Sequence, residues 1–141
     1  MFKRKTIDEL SVGDKHIEEI TIGKENVEAF AKATGDFNPL HMDDEFAKDS
    51  QFGKRVVHGV LLPGIISGIL GTKFPGLGTV AREMTAKFSR PVFIGETVKA
   101  EVEVTEMKKK YNICTIKYKI TNQQGKTAVR GKAVVLPKRD K

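Results

Sequence analysis

The sequence predicts an α+β fold in which a curved antiparallel sheet wraps one long apolar helix. Three observations lead there. The first half of the chain carries helical spacing punctuated by Gly and Pro, and the stretch from Val60 to Leu70 is apolar on nearly every side. From Thr79 onward the hydrophobic period falls to two, the period of a strand. The 141 residues suit a single domain, 1–141, with enough chain to close a real core.

In chain order, "KHIEEITI" reads as a short opening strand. Thr21 is then the expected N-cap of a helix in which Val27, Phe30 and Ala31 recur at helical spacing up to Thr34. Gly35 follows where a helix-ending glycine belongs. "GDFNPLH" (35–41) forbids continuation, because Pro39 fixes its own φ and pushes Asn38 toward an extended backbone. "DDEFAKDS" predicts a second short helix with Asp43 or Asp44 at its start, where a carboxylate complements the helix dipole.

The apolar run Val60–Leu70 predicts a helix buried on all faces, with Pro63 tolerated in its first turn. Gly64 and Gly68, one turn apart, would let a sheet backbone approach closely. Gly71, Pro75, Gly76 and Gly78 then break the chain into turns. Four strands follow. "TVAREMTAKFSRPVF" is the first; in "TVKAEVEVTEMK", Val98, Ala100, Val102 and Val104 share a face. "YNICTIKYKIT" aligns Cys114, Ile116, Tyr118 and Ile120, and "NQQG" turns the chain into "KTAVRGKAVVL". Short connections make the sheet antiparallel. A helix apolar all round cannot be covered by one flat sheet face, so the sheet must wrap it.

Composition narrows the functional classes. The longest apolar run is too short to span a bilayer, and "MFKRKTIDEL" has no apolar segment behind its charges, so neither a membrane anchor nor a secretory signal is expected. One cysteine, Cys114, excludes an internal disulfide framework and a cysteine-based zinc site; the cytoplasm is the expected compartment. The net charge of +7 comes from scattered basic residues without interleaved aromatics, which speaks against nucleic acid. It suits a solvated surface or the attraction of an acidic ligand.

The chemistry concentrates at Asp36, Asn38, Pro39 and His41. A bend at Pro39 can aim the Asp36 carboxylate and the His41 imidazole at one water, an acid–base pair worth roughly 10²–10⁴ in rate. The Asn38 amide can orient either partner or the backbone. The same residues also suit an Asx-type turn with a surface histidine. His58 is a weaker candidate for a second catalytic histidine and is expected to pack or bond locally; His16 is expected to be solvated. Asp43 and Asp44 read as helix caps rather than metal ligands, so no metal is expected.

"FAKATGDFNPLHMDDEFA" (30–47) resembles the hydratase-2 motif of the MaoC-like, (R)-specific enoyl-CoA hydratase family: Gly35, Asp36, Asn38, Pro39, Leu40 and His41, then the small Ala47. "FGKRVVHGVLLPGIISGILG" and "FSRPVFIGETVKAEVEV" resemble the later blocks, so the similarity runs from about Ile20 to the C-terminus. The resemblance implies the hot-dog fold and hydration of trans-2-enoyl-CoA to (R)-3-hydroxyacyl-CoA, with no cofactor. Asp36 and His41 would hold the catalytic water. The backbone N–H of Gly59 would receive the developing thioester oxyanion, a role suited to a helix start. Ser67 matches a supporting position near the aspartate, although a helix serine also bonds back to its own chain.

The resemblance also implies an acyl-CoA partner and a homodimer with the site at the subunit interface. Arg90, Lys109 and Lys110 would be available to the phosphates of coenzyme A. Relatives often carry other residues at Ala81, Glu83 and Met84, which leaves acyl chain length open. A dehydratase acting on 3-hydroxyacyl groups carried by acyl carrier protein, and a non-catalytic acyl-CoA-binding module, are the alternatives.

Overall fold

The computed structural model describes residues 2–140. Strand β1 (Lys15–Thr21) leads into helix α1 (Lys24–Thr34), the single turn α2 (Pro39–Met42), the short helix α3 (Asp44–Lys48) and the apolar helix α4 (Leu61–Thr72). Strands β2 (Val80–Met84), β3 (Lys87–Phe88), β4 (Thr97–Lys108), β5 (Ile113–Thr121) and β6 (Thr127–Leu136) complete the chain. They form one six-stranded antiparallel sheet of order β1-β4-β5-β6-β2, with β3 also paired to β6. The expected α+β, hot-dog arrangement of an antiparallel sheet with a helix packed on it is present.

The alternating residues of β4 and β5 account for the closed side. Val98, Ala100, Val102 and Val104, with Cys114, Ile116, Tyr118 and Ile120, are all buried. They meet Leu61, Leu62, Ile66, Ile69 and Leu70 of α4 in one core cluster. Each fully buried large aliphatic contributes roughly 1.5–3 kcal/mol of transfer free energy. Burial pushes the Cys114 thiol up to about 11.

Several expectations change on contact with the fold. Thr21 does not cap α1; it ends β1, where its hydroxyl lies 2.7 Å from that of Thr97. Gly23 precedes the helix instead, its N–H donating to Asn26 Oδ1 at 2.8 Å. Helix α4 is not buried on all faces. Val60, just ahead of it, is 63% exposed, and Gly64, Ser67 and Gly68 continue that open stripe. A Cβ at Gly64 or Gly68 would meet nothing within 4 Å among the described residues, so these glycines serve no close contact there.

The single strand expected over "TVAREMTAKFSRPVF" is two, because Thr85 leaves the ladder. Its N–H donates to the Lys132 carbonyl at 2.9 Å, its Oγ1 accepts the Lys132 N–H at 3.0 Å, and its carbonyl accepts the Tyr118 hydroxyl at 2.5 Å. That carbonyl crosses directly over Gly131, where an added Cβ would sit 2.0 Å from it. Burial raises the Tyr118 phenol, which keeps it a donor. The kink sets β3, and with it Phe88, against the start of α4.

His16 is not solvated. It is half-buried, bonds Glu18 Oε1 at 2.8 Å and stacks on Phe74 with ring centroids 6.2 Å apart. Lys73, at the end of α4, donates to both Glu18 oxygens at 2.9 and 2.8 Å, tying the helix to β1. Burial acts to raise the Glu18 carboxyl, but the bonds and charges of Lys73 and His16 outweigh it and hold the group below its usual value.

Candidate active site

The motif loop folds through local bonds that its residue types dictate. Gly35 ends α1 at φ 79°, its N–H donating to the Ala31 carbonyl at 2.8 Å. This left-handed conformation is one that glycine adopts without steric cost. Asp36 Oδ1 then accepts the Asn38 N–H at 3.3 Å, and Asn38 Oδ1 accepts the Leu40 N–H at 3.0 Å. These are successive Asx turns. Asn38 caps α2, with Pro39 as its first residue, and thereby places His41 on that single turn. The Asn38 amide oxygen therefore orients the backbone. Asp43 caps α3 as expected, its Oδ1 accepting the N–H groups of Glu45 and Phe46 at 2.9 and 3.3 Å.

The segment Arg55–Gly59 holds this loop from the other side. His41 Nδ1 lies 2.8 Å from the Val56 carbonyl oxygen. A carbonyl only accepts, so Nδ1 carries the proton and Nε2 of the neutral ring keeps its lone pair. Arg55, buried, donates from Nε to the His41 carbonyl at 2.7 Å, while its Nη1 stands 4.0 Å from Asp44. His58 is 1% exposed, with Nε2 2.9 Å from the Asp36 carbonyl oxygen. Its ring lies against His41 (centroids 4.1 Å apart, planes at 32°) and against Phe30 at 4.7 Å.

Asp36, His41 and His58 thus bring one side-chain atom each within 4.8 Å of the others. Asp36 is exposed and His41 half-buried, so solvent reaches the carboxylate while the imidazole is held in place. A carboxylate and two imidazoles are also a possible metal donor set. Each ring already has one nitrogen on a backbone carbonyl, His41 on Val56 and His58 on Asp36, so the geometry on its own is open to either use, proton transfer or coordination.

Gly59 lies in the turn before α4, two residues ahead of its first helical residue. Among the described residues its N–H serves no backbone acceptor outside the regular elements. A Cβ there would lie 3.1 Å from the Phe88 ring, so a larger residue would require that half-exposed aromatic to give by a few tenths of an ångström. Ser67 is exposed on the open stripe of α4, and neither expected bond is seen for its hydroxyl among the described residues. The back-bonding expected of a helix hydroxyl occurs instead at Thr72, which donates to Gly68 at 2.7 Å. A groove of about 540 Å³ on the outer face of the sheet, lined by Lys15, Glu103, Lys117, Lys119 and Arg130, includes none of these residues.

Sequence reasoning missed Arg55 and Phe88 as parts of this locus, while His58 packs and bonds locally as expected. The phrase "VVHG" displayed the histidine, but the Asp36 carbonyl that it bonds has no side-chain signature.

Known proteins resemble this chain over most of its length. The sequence matches the MaoC-like domain family over residues 11–125. It is 43% identical over 126 residues to an (R)-specific enoyl-CoA hydratase of Aeromonas caviae, covering 89% of this chain and 94% of that protein. It is 36% identical over 116 residues to an (R)-specific enoyl-CoA hydratase of Rhodospirillum rubrum, covering 82% and 80%. The solved structure of the A. caviae (R)-hydratase involved in PHA biosynthesis aligns with a TM-score of 0.89 at 42% identity, over 92% of this chain and 98% of that one.

Proposed function

The chain belongs to the MaoC-like domain family, and from that premise we propose that it is a hydro-lyase, an (R)-specific enoyl-CoA hydratase. It adds water across the double bond of a trans-2-enoyl-CoA, reversibly, to give (R)-3-hydroxyacyl-CoA. One observation carries the reading: Asp36 and His41 present their side chains within 4.8 Å of each other, with His41 locked by Val56 in the tautomer that leaves Nε2 open.

Water held between the Asp36 carboxylate and His41 Nε2 loses a proton to the pair as its oxygen attacks C3. Electron density moves through C2 onto the thioester oxygen, where the Gly59 N–H at the mouth of α4 receives it. A proton from the same face then reaches C2. Hydroxyl and hydrogen enter together on one side, which is syn addition. Water is consumed, nothing is oxidised, and the step calls for no cofactor. Loss of a single oxyanion donor costs roughly 10²–10³ in turnover; proline alone would remove the backbone N–H itself, and the Phe88 ring lies over this glycine.

We further propose that two copies pair. Val60, Gly64, Ser67 and Gly68 form an uncovered face beside Gly59, and Val80 and Phe88, 58% and 50% exposed, lie on strands paired on one side only by β6. A second copy over this region would cover the open face beside Gly59 and exclude solvent from it. Among the described residues no helix is long and apolar enough to cross a membrane. A cytoplasmic setting as one catalytic domain completes the reading, and the +7 charge supports an anionic carrier.

The test is direct. Purified protein should discharge the conjugated enoyl absorbance of crotonyl-CoA, and an (R)-specific 3-hydroxyacyl-CoA dehydrogenase should consume the product. Asp36→Asn and His41→Gln should each lower kcat at least about a hundredfold. A markedly higher kcat/KM on enoyl groups carried by acyl carrier protein would reassign the carrier. Tight acyl-CoA binding without turnover would overturn the enzyme.

A further inference from the structure

We propose that His58 is a positioning residue that sets the spacing between the catalytic carboxylate and imidazole; the inference rests on the hydratase reading above. Three parts of that site meet at this one buried ring. Its Nε2 bonds the backbone carbonyl of Asp36 at 2.9 Å, its face lies 4.1 Å from the His41 ring, and it directly precedes Gly59 in the chain. Nothing else among the described residues joins all three.

The bonding defines the tautomer. The Asp36 carbonyl only accepts, so His58 holds its proton on Nε2 and leaves a lone pair on Nδ1. That Nδ1 is buried and has no hydrogen-bond partner among the described residues. A buried polar atom without a partner is costly, and a residue present only to fill space beside Phe30 would be apolar. What compensates is the opposite edge of the ring. The Nε2–H anchors the Asx-turn segment at its first residue, while Val56 and Arg55 hold its far end, the Val56 N–H donating to the Leu40 carbonyl at 3.3 Å and Arg55 Nε to the His41 carbonyl at 2.7 Å.

The ring face completes the device. His41 is held edge-on by Val56 and at its carbonyl by Arg55, which leaves its plane free to tilt. Packed between Phe30 and His41, the His58 ring removes that freedom. Displacements of about 1 Å in a reacting pair can cost on the order of a hundredfold in rate. A rigid spacer at this point therefore acts on turnover and leaves acyl-CoA affinity alone.

The experiment uses the full chain and three substitutions. His58→Gln retains a donor near the Nε2 position, His58→Asn retains polarity but places its amide near Nδ1, and His58→Leu retains bulk only. With crotonyl-CoA, Asn and Leu are expected to lower kcat roughly 10–100-fold, with KM unchanged within about threefold. Gln should recover most of the loss. Equal kcat in Gln, Asn and Leu, or a loss confined to KM, would overturn the inference while leaving the hydratase reading intact; an inactive wild type would overturn that reading, and this inference with it. Nitrogen-15 NMR of the wild-type imidazoles supplies a readout that needs no variant to fold. His58 is expected as the Nε2–H tautomer, and an Nδ1–H tautomer would refute the proposal.

Discussion

The inner face of β4–β5 and the 35–42 loop are opposites. In the first, Val98, Val102, Ile116 and Ile120 are buried and held by a continuous antiparallel ladder. In the second, residues 35–39 are exposed and their order comes from a few short-range bonds and a grip by Arg55, Val56 and His58. Stability resides in the first region; on the proposed hydratase reading, chemistry resides in the second. Asp36 and His41 can be aimed without deep burial, because the bonds that aim them are anchored on a segment that is itself buried.

The largest expected effect tests that separation from both sides. Asp36→Asn and His41→Gln should cost roughly 10²–10⁴ in kcat with the unfolding midpoint nearly unmoved. Ile116→Ala or Ile120→Ala should cost about 2–5 kcal/mol of stability, with kcat per folded molecule close to that of the wild type. Denaturant unfolding beside initial-rate kinetics on the same four proteins measures both. A core variant that loses turnover in its folded fraction would show that the two regions are coupled.

The two regions also differed in how readily the sequence disclosed them. Strict alternation at Val98–Val104 and Cys114–Ile120 announced β4 and β5, since a period of two leaves no other way to bury one face. The loop was legible as a motif: Gly35, Pro39 and Asp43 each took the backbone role their chemistry favours. Helix α4 misled for a physical reason. Hydrophobicity reports that a surface avoids water and says nothing about which molecule covers it, so the Val60–Gly68 stripe looked like an interior. The grip on His41 was invisible because it is made by the carbonyl of Val56, and any residue type supplies a carbonyl. The β2–β3 break was hidden for the same reason, residing in the Thr85 backbone.

That break allows a middle-sized test. At Gly131 an added Cβ would meet the Thr85 carbonyl at 2.0 Å, so Gly131→Ala must push β3 away from β6 or sever the Tyr118 bond. Overpacking of this sort costs about 1–3 kcal/mol. Unlike the interior truncations, it should also lower kcat, because β3 carries the Phe88 ring that covers Gly59. Full activity in a destabilised Gly131→Ala protein would separate Phe88 from the site.

The smallest effect concerns the far end of α4, where Lys73 grips Glu18 away from the chemistry. Interaction with Lys73 and His16, outweighing the opposing effect of burial, holds the Glu18 carboxyl below its ordinary value of 4.5. An acid whose folded value is depressed binds fewer protons folded than unfolded near that pH, so its stabilisation is complete above the unfolded value and vanishes as pH falls through the folded one. Wild type should therefore exceed Glu18→Gln by about 1 kcal/mol at neutral pH, and the gap should close as pH falls through the depressed folded value. Lys73→Met should erase most of the pH dependence that distinguishes the two. Because the pair anchors only the C-terminal end of the helix, none of these changes should alter kcat at neutral pH, where the grip of Arg55, Val56 and His58 at the opposite end still fixes the carboxylate and the imidazole.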